Sequence, residues 1–425
     1  MIQTNSAQRR KLEQLTASAL DEYQCERFNQ LLQDILPENS FYSNKLARCP
    51  HSISTLQQLG EFPYTFKDEL LGSGGSDFAA NLTYPLAKYV RFHRTSGTRG
   101  RPLVVLDTSD DWQWFTNSWQ YVLDAANVQP DDRVMLAFSF GPFIGFWSAN
   151  DAAVDRGCLV IPGGGMSTLQ RVELIRSSMT TIVCCTPSYA MRMAEVAEEN
   201  AVDLRETSVK AIIVAGEPGG SVPAIKERIE NSWGARVVDH AGASEIGPWG
   251  YANPSGTGLH VIESEFIAEF LSVATGEPAT EGELSELVLT ALGRSGCPVI
   301  RYRTSDLVRP LWDHDQESRF VFLDGGVLGR TDDMMIIRGV NIYPSAIEHI
   351  LRGFPEVVEY QMTVCKEGEM DSLSIEIEDR LEQPDRVAEE LQLRLALRVD
   401  VRCVPLGSLP RYEAKSRRFV DLRRS

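Results

Sequence analysis

Several features that would place the chain in other classes of protein are missing from its sequence. The 425 residues include 42 Lys and Arg against 59 Asp and Glu, which gives a formal net charge of −17. Nucleic acids and anionic membrane surfaces select clustered positive charge, so neither is expected as a partner. No run approaches the roughly 18 apolar residues that a transmembrane helix needs. Residues 1–14 contain no apolar stretch of the signal-peptide type.

Cysteine pairing motifs are also absent. None of the eight cysteines forms a C-x-x-C pair, and several lie in apolar, strand-like runs. The six histidines show no ligand spacing relative to these cysteines, which argues against a zinc site. We therefore expect free, buried thiols and a reducing, cytoplasmic location.

The order of the apolar runs predicts an α/β fold, in a chain long enough for two or three domains. In the middle of the chain, short β-type runs alternate with helical segments, which indicates a largely parallel sheet with helices on both faces. Ligands collect at the carboxyl ends of the strands in such sheets. A second texture begins near Glu281, with strands predicted at Glu283–Thr290 and Val299–Arg303. From about Asp333 the sequence predicts a small α+β unit.

A run of small hydroxyls, glycines and cations follows the first strand-like segment. It reads Arg-Thr-Ser-Gly-Thr-Arg-Gly-Arg-Pro at residues 94–102. Glycines let backbone N–H groups approach a phosphate chain, hydroxyls donate further hydrogen bonds, and the cations offset its charge. The run is not a Walker A loop, because G-x-x-x-x-G-K-[ST] is absent. A polar turn between two strands is the alternative interpretation.

Two further motifs bring a carboxylate close to a strand. Residues 239–247 contain Glu245 at the end of a strand-like run, where a carboxylate can hold Mg²⁺ that bridges phosphate oxygens. Residues 300–306 end in Asp306, which can accept two hydrogen bonds from ribose hydroxyls. A solvated loop carboxylate and a turn-capping Asp are the respective alternatives.

Two motifs near the end of the chain indicate a second domain and a charged tail. Residues 329–344 combine a polar turn, an apolar strand, a glycine turn and a helix start, which is compatible with a domain junction. Residues 409–418 contain Lys415, which could neutralise charge in a transition state. An ordinary strand-turn-helix unit and a frayed basic end are the alternatives.

In this order and with this spacing, the five motifs resemble the adenylate-forming superfamily of acyl-CoA synthetases, adenylation domains and luciferases. Within that superfamily the chain is most similar to phenylacetate-CoA ligases, from Phe62–Leu70 to Lys415. The most specific stretch is Gly329–Pro344, which looks very close to that family's hinge segment. Gly258–Phe266 and Cys185–Tyr189 are also similar to that family.

The resemblance implies a fold, a set of cofactors and an assembly. The fold is α/β, with a large N-terminal domain of mixed or parallel sheets covered by helices (residues 1–331) and a small mobile α+β C-terminal domain (residues 332–425). ATP, Mg²⁺ and, as second substrate, coenzyme A are the implied cofactors. A homodimer is the implied assembly. The residues implied in nucleotide binding are Thr95, Ser96, Gly97, Thr98, Gly100, Gly216, Glu217, Pro218, Asp239, His240, Asp306 and Arg330.

The resemblance also implies catalytic roles. Ser244 and Glu245 match the residues near the α-phosphate, with Glu245 as the metal ligand. Lys415 matches the lysine that enters the site for adenylation, and Asp332 matches the hinge about which the small domain rotates. In nucleotide binding, Arg330 would assist Asp306 at the ribose.

The acyl pocket follows from the same resemblance. Aromatic walls beside glycine gaps suit a flat ring, so the expected acid is aromatic, of the arylacetate or benzoate type. Phe146 and Trp147 lie in the same stretch, but we expect them to belong to the core. The residues implied in the pocket are Phe138, Phe140, Phe143, Gly164, Ala241 and Gly242.

Three departures from the family pattern stand out. Ala241 occupies the position of an aromatic residue that usually stacks on adenine, and either His240 or Tyr251 could replace that ring. Arg99-Gly100-Arg101 stands where Thr-Gly-Lys is usual, and Arg is not a neutral exchange for Lys. Ala414 precedes Lys415 where Gly is usual, which restricts the backbone.

The expected function is therefore ATP-dependent activation of a carboxylic acid to an acyl-adenylate, followed by transfer to coenzyme A. One alternative keeps adenylation but changes the acceptor to an amine, a carrier-protein thiol or a cofactor hydroxyl. Another is a degenerate homologue that binds a nucleotide without turnover. Glu245, Asp306 and Lys415 argue against that last interpretation, whereas Ala241 leaves it open.

Overall fold

The computed structural model describes residues 4–72, 78–95, 102–138, 141–312, 318–331, 335–337, 340–367, 370–395, 399–411 and 418–424. The helices are α1 (Ser6–Glu13), α2 (Ala17–Ile35), α3 (Ser40–Lys45), α4 (Lys67–Leu70), α5 (Ser109–Ala125), α6 (Ile144–Arg156), α7 (Thr168–Ser177), α8 (Pro187–Glu199), α9 (Pro223–Trp233), α10 (Pro344–Arg352) and α11 (Pro384–Leu395). The strands are β1 (Tyr89–Arg94), β2 (Val104–Thr108), β3 (Arg133–Leu136), β4 (Leu159–Pro162), β5 (Ile182–Cys185), β6 (Ala211–Val214), β7 (Arg236–Ala243), β8 (Gly247–Ala252), β9 (Gly258–Val261), β10 (Phe266–Ser272), β11 (Ser285–Ala291), β12 (Tyr302–Val308), β13 (Pro310–Leu311), β14 (Phe322–Asp324), β15 (Gly329–Arg330), β16 (Met335–Ile337), β17 (Val340–Ile342), β18 (Val357–Glu367), β19 (Met370–Asp379), β20 (Asp400–Cys403) and β21 (Phe419–Asp421).

The largest sheet has nine strands in the order β13-β14-β9-β8-β7-β6-β5-β3-β4. Its half from β4 to β7 is parallel, as the alternation of strands and helices predicts. The other half, which contains β8, β9, β13 and β14, is antiparallel, so the whole sheet is mixed, in agreement with the fold class expected from the resemblance. The reason is the three-residue turn between β7 and β8, since parallel strands need a crossover of a dozen or more residues.

Two apolar cores cover the two faces of the parallel half. Successive side chains of a strand point to opposite faces, so neighbours in sequence enter different cores. The core under α5 and α6 receives Val134, Leu136, Ile182, Cys184, Ile213 and Val238. The core under α7, α8 and α9 receives Met135, Val183, Cys185, Ile212, Val214 and Val237. Helices on both faces therefore hold the carboxyl edge of the sheet in place.

A second sheet, of order β10-β11-β12-β15, lies beside the first. The strand predicted at Val299–Arg303 is wrong, because the structure has a loop up to residue 301 and begins β12 at Tyr302. Val299 and Ile300 are completely buried, which explains their apolar character without a strand. Arg301 has φ of 48°, a left-handed conformation that interrupts an extended chain.

The C-terminal part forms a four-stranded sheet of order β20-β19-β18-β21 with α10 and α11 packed against it. The helix start predicted at the end of residues 329–344 is confirmed, because α10 begins at Pro344. This small α+β unit has an apolar core of its own. A boundary at residue 331 stays a prediction, because residues 332–334 lie outside the described residues.

The N-terminal helical run is divided in two. The first helix ends at Glu13, and Thr16 caps α2, since its Oγ1 accepts a hydrogen bond of 3.3 Å from the backbone N–H of Ala19. Ser, Thr, Asp and Asn are favoured at this position because a short side-chain oxygen satisfies an unpaired N–H. The Arg9 side chain of α1 then pairs with Asp124 at 2.6 Å and fastens the helix to α5.

All eight cysteines are free thiols, as predicted. The buried ones are Cys25, Cys158, Cys184, Cys185 and Cys297. Burial raises the pKa of the Cys184 and Cys297 thiols to about 12, so both are protonated and unreactive at neutral pH. Within the part of the chain that the structure describes, no helix combines the length and apolar character needed to cross a membrane.

Replacement of Trp114 tests the packing of the core under α5 and α6. Its side chain on α5 is completely buried, donates to Glu265 at 2.7 Å, and fits against Gly247 and Gly293, where an added Cβ would touch the ring. We expect Trp114→Ala to lower the free energy of unfolding by about 3–5 kcal/mol, because the cavity cannot collapse fully. Urea unfolding measures the change.

Trp312→Ala is the matched control for this substitution, because that ring is 44% exposed. We expect it to change the free energy of unfolding by less than about 1 kcal/mol. Equal losses for the two variants would contradict the packing described here.

Candidate active site

Predicted site residues from separate parts of the chain meet at the carboxyl edge of the parallel strands. Backbone hydrogen bonds tie neighbouring loops together there, from Gly163 N–H to the Leu136 carbonyl at 3.0 Å and from Ala215 N–H to the Cys185 carbonyl at 3.2 Å. Because all five strands run in one direction, the residues that follow them lie along one edge. The segments concerned contain Phe138, Gly164, Gly216–Pro218 and Ser244–Glu245.

Glu245 lies in the turn between β7 and β8 and is almost completely buried. Its carboxylate Oε1 is 2.7 Å from the ammonium of Lys67 on α4. The backbone of the same turn is held by Arg294, whose Nη1 donates to the carbonyl oxygens of Ser244 at 2.9 Å and Glu245 at 3.0 Å. The turn is therefore fixed from two sides by cations.

Sequence reasoning missed both cations. Lys67 lies in the Phe62–Leu70 stretch that carries part of the family resemblance, so a role for it could have been considered. Arg294 is an isolated charge between the apolar residues of β11 and the buried Val299. A charge in such surroundings must have a partner, and that is the signal available in the sequence.

The single carboxylate of Glu245 fits the role predicted for it with Mg²⁺. The carboxylate already faces one cation, Lys67, in a water-poor position. Mg²⁺ keeps several waters and is usually bound by one or two carboxylates together with substrate phosphates. Glu245 would hold the ion, and the ion would neutralise charge on the phosphates.

The hairpin of β1 and β2 carries the predicted phosphate loop. Thr95 closes its base, since its backbone N–H donates to the Leu103 carbonyl and its Oγ1 accepts from the Leu103 N–H, both at 2.9 Å. The hydroxyl of Thr95 is therefore engaged within the hairpin. The predicted residues Ser96, Gly97, Thr98 and Gly100, together with Arg99 and Arg101, lie outside the described residues.

The pair predicted at the ribose is brought together. Asp306 lies opposite Arg330 in the register of β12 and β15, and Arg330 Nη1 is 3.0 Å from Asp306 Oδ1. Asp306 lies inside β12 and not after a strand, which corrects the sequence prediction. The two side chains keep their predicted proximity because the strands pair.

The segment predicted to border adenine follows β6. Gly216 has φ of 92°, which favours glycine. Glu217 accepts a hydrogen bond of 2.8 Å from the backbone N–H of Ser188, in the first turn of α8, and Pro218 follows it. Carboxylates are stabilising at such a helix N-terminus, so Glu217 also fixes the loop on α8.

Asp239 and His240 are both buried at the end of β7. Asp239 accepts a hydrogen bond of 2.6 Å from the Ser221 hydroxyl, and burial raises the pKa of its carboxyl to about 6. His240 Nδ1 donates to the Gly250 carbonyl at 2.7 Å, and burial lowers the pKa of the imidazole to about 4. His240 is therefore neutral at physiological pH.

Neither proposed replacement for the missing adenine-stacking ring has an exposed face. The His240 ring packs 4.5 Å from the centre of the Trp119 ring. Tyr251 is 5% exposed and donates its hydroxyl to Glu13 at 2.7 Å. Stacking of either ring on adenine, in place of an aromatic residue at position 241, stays a prediction from the sequence. Both rings belong to the core beneath β7 and β8.

Aromatic rings form the predicted acyl wall at the start of α6. Phe138 stacks on Phe146 with a centroid distance of 4.2 Å, and Phe143 meets Phe146 edge-on at 5.9 Å. Phe143 is 38% exposed and Phe146 is half-buried, whereas Trp147 packs against the core under α5 and α6, as expected for it. Phe140 lies outside the described residues.

The other predicted wall residues are small. Gly164 lies in the turn after β4, and Ala241 pairs with Gly250 across β7 and β8. A Cβ at Gly242 would lie 3.0 Å from the Gly247 carbonyl oxygen, so the backbone requires a small residue there. Lys415, Ala414 and the hinge residue Asp332 lie outside the described residues.

The sequence matches two family models, "AMP-binding enzyme" over residues 92–266 and "AMP-binding enzyme C-terminal domain" over residues 339–423. The phenylacetate-coenzyme A ligase of Thermus thermophilus is 31% identical over 445 residues, covering 97% of this chain and 99% of the relative. The phenylacetate-coenzyme A ligase of Escherichia coli is 32% identical over 435 residues, covering 97% and 98% respectively.

The fold is shared with a solved 2-hydroxyisobutyryl-CoA ligase. In its postadenylation state, in complex with 2-HIB-AMP, that enzyme matches with a TM-score of 0.91 and 26% identity, over 99% of this chain and 94% of the other. In its thioesterification state, in complex with 2-HIB-AMP and CoA, it matches with a TM-score of 0.74 and 27% identity over the same shares.

Fold, site and similarities together define an AMP-forming acid–thiol ligase, a class of enzyme that uses ATP, Mg²⁺ and coenzyme A. The chain belongs to the phenylacetate-CoA ligase family of AMP-binding enzymes. The family resemblance read from the five motifs is thereby confirmed.

The two shifted pKa values at the end of β7 predict opposite pH dependences. Native Asp239, with a pKa of about 6, keeps a proton that the unfolded carboxyl, at 3.8, has released, so its contribution to stability falls as pH rises between these values. Native His240, with a pKa of about 4, stays neutral while the unfolded imidazole, at 6.5, is charged, so its contribution rises with pH.

Urea unfolding between these pKa values separates the two effects. Relative to the wild type, Asp239→Asn should gain stability as pH rises. The wild type loses the contribution of the Asp239 carboxyl over this interval, and the variant has no such contribution to lose. His240→Gln should lose stability, relative to the wild type, over the same interval. Stability curves that run parallel for all three proteins would contradict the assigned shifts.

Proposed function

We propose that the enzyme activates an aromatic carboxylic acid, of the arylacetate or benzoate type, to an acyl-adenylate and transfers the acyl group to coenzyme A. The observation that carries this proposal is the common sheet edge. There the Glu245 turn and the stacked rings of Phe138, Phe143 and Phe146 follow strands of one parallel sheet. The two phenylacetate-coenzyme A ligases at 31% and 32% identity support the aromatic acid.

In the first step a carboxylate oxygen attacks the α-phosphorus of ATP and pyrophosphate leaves, which forms a mixed anhydride with AMP. Both reactants are anionic, so the step needs fixed positive charge around the α-phosphate. Glu245 would hold Mg²⁺, which supplies part of that charge, and Lys415 would supply another part. Asp306 and Arg330 would fix the ribose, which orients the α-phosphate.

In the second step the thiol of coenzyme A attacks the acyl carbonyl and AMP leaves with its phosphate. A lysine that neutralises the first transition state must withdraw before the thiol can enter. We propose that residues 332–425 rotate about Asp332 between the two steps. Different TM-scores to two states of one 2-hydroxyisobutyryl-CoA ligase support this, since the higher score belongs to the postadenylation state.

An aromatic acid is favoured over an aliphatic one by the shape of the wall. The Phe138 and Phe146 rings are nearly parallel, with an interplanar angle of 21°, and Phe143 is partly open to solvent beside them. Offset-stacked and edge-to-face contacts with these rings favour a flat ring in the acid. The homodimer and the cytoplasmic location stay predictions from the sequence.

Pyrophosphate release against a panel of aromatic and aliphatic acids, with and without coenzyme A, tests the proposal. We expect release with an aromatic acid and many turnovers only when coenzyme A is present, because only the thiol removes the bound adenylate. The acyl-CoA product is identified by mass spectrometry.

Turnover that is indifferent to coenzyme A would favour an amine, a carrier-protein thiol or a cofactor hydroxyl as acceptor. No release with any acid, from a protein that binds ATP, would support the degenerate interpretation. A preference for aliphatic acids would overturn the aromatic pocket while leaving adenylation intact.

A further inference from the structure

An ion pair without solvent contact lies beneath the candidate site. The side chains of Arg294 and Asp107 are both 0% exposed, and the Arg294 Nη2 and Nε atoms lie 2.6 and 2.7 Å from Asp107 Oδ1. Burying two charges carries a large desolvation cost, which is offset only when further hydrogen bonds complete the geometry. The partners of these two side chains therefore indicate what the pair is for.

The two ends of the pair belong to different parts of the site. Arg294 Nη1 donates to the carbonyl oxygens of Ser244 and Glu245, which form the turn between β7 and β8. Asp107 lies in β2 opposite Arg91 of β1, so it belongs to the hairpin that carries residues 95–102. The pair thus connects the Glu245 turn with the second strand of the hairpin, four residues along the chain from Leu103.

The loop that carries Arg294 is itself anchored. The Gly296 N–H donates to Asp111 Oδ1 at 3.0 Å, and a Cβ at Gly296 would lie 2.2 Å from Asp111 Oδ2. On the other side of Arg294, an added Cβ at Gly293 would lie 2.2 Å from the buried ring of Trp114. Because α5 holds the loop on both sides of Arg294, the backbone that carries the guanidinium side chain is held in place.

We propose that Arg294 is a positioning residue for adenylation, which fixes the peptide between Ser244 and Glu245 relative to the phosphate hairpin through Asp107. The guanidinium suits this role because its planar fork serves a carboxylate and two carbonyls at once, whereas an ammonium is a point charge. Without the donor the turn can shift, and a displacement of about 1 Å in a reacting group can reduce a rate about a hundredfold. The inference rests on the proposed function through the role of Glu245.

The ion pair of Arg301 and Glu269 provides a control, with side chains 8% and 24% exposed respectively. Arg301 donates to both oxygens of Glu269, at 2.9 and 2.7 Å, and also to the carbonyl of Phe62. It lies in the chain just after the Arg294 loop, but its carbonyl partners are outside the Glu245 turn. If the Arg294–Asp107 pair contributed only to stability, removal of either pair should have the same effect on activity.

The test replaces each whole pair by apolar residues, as Arg294→Met with Asp107→Leu and as Arg301→Met with Glu269→Leu. Removing both charges avoids an unpaired buried ion, so both double variants are expected to fold. We expect the first to lose about a hundredfold in kcat for adenylation with little change in KM for the acid. The second should stay within about threefold of the wild type. Equal losses would overturn the proposal.

Arg294→Lys keeps the charge and covers the case in which the first double variant does not fold. We expect Arg294→Lys to lower kcat about tenfold in the wild-type background, since the fork is lost. In a Glu245→Gln background the same substitution should have no further effect, because the group it positions is gone. An equal loss in both backgrounds would show a purely structural role and contradict the inference.

A binding measurement separates this inference from the proposed function. Calorimetry of ATP binding with and without Mg²⁺ needs no acid and no turnover. Arg294→Lys should weaken the Mg²⁺-dependent part of ATP affinity about tenfold, as expected for a residue that orients a metal ligand. If the wild type activates no acid and this loss is still seen, only the proposed function fails. If acids are activated and the loss is absent, the inference fails.

Discussion

The buried contact between Arg294 and Asp107 is the interaction on which the arrangement of the site depends. The Glu245 turn and the phosphate hairpin come from separate sheets, although apolar side chains of both sheets share the core under α5 and α6. A fully desolvated ion pair tolerates little displacement, because any loosening leaves a charge without a partner. The pair therefore adds a polar link between the Glu245 turn and the hairpin to the apolar core that they share.

Local motifs were readable from the sequence where neighbouring residues in the chain carry the chemistry. The Glu245 turn follows a strand as predicted, and Asp306 meets Arg330 because their strands pair. Contacts across the chain were not readable. Arg294 reaches the Glu245 carbonyl across 49 residues, and no periodicity in the sequence encodes that contact. The same holds for the antiparallel half of the sheet, where a short turn overrides the alternation of strands and helices.

Burial distinguishes the aromatic rings of the chain that are open to a ligand from those that belong to the core. His240 and Tyr251 have the aromatic character that a replacement for the usual adenine-stacking ring would need, but the core beneath β7 and β8 holds both of them. Phe146 is half-buried and stacks on Phe138 in the aromatic wall, whereas Trp147 packs against the core under α5 and α6.

Attack of a carboxylate oxygen on the α-phosphorus of ATP can be followed with an acid whose carboxyl group carries the heavy isotope of oxygen. The acid is converted to the thioester, and the AMP formed is analysed by mass spectrometry. One labelled oxygen should appear in the phosphate of AMP, because the anhydride oxygen leaves with the nucleotide when the thiol attacks. Product AMP without label, formed together with labelled inorganic phosphate or with ADP, would contradict this mechanism.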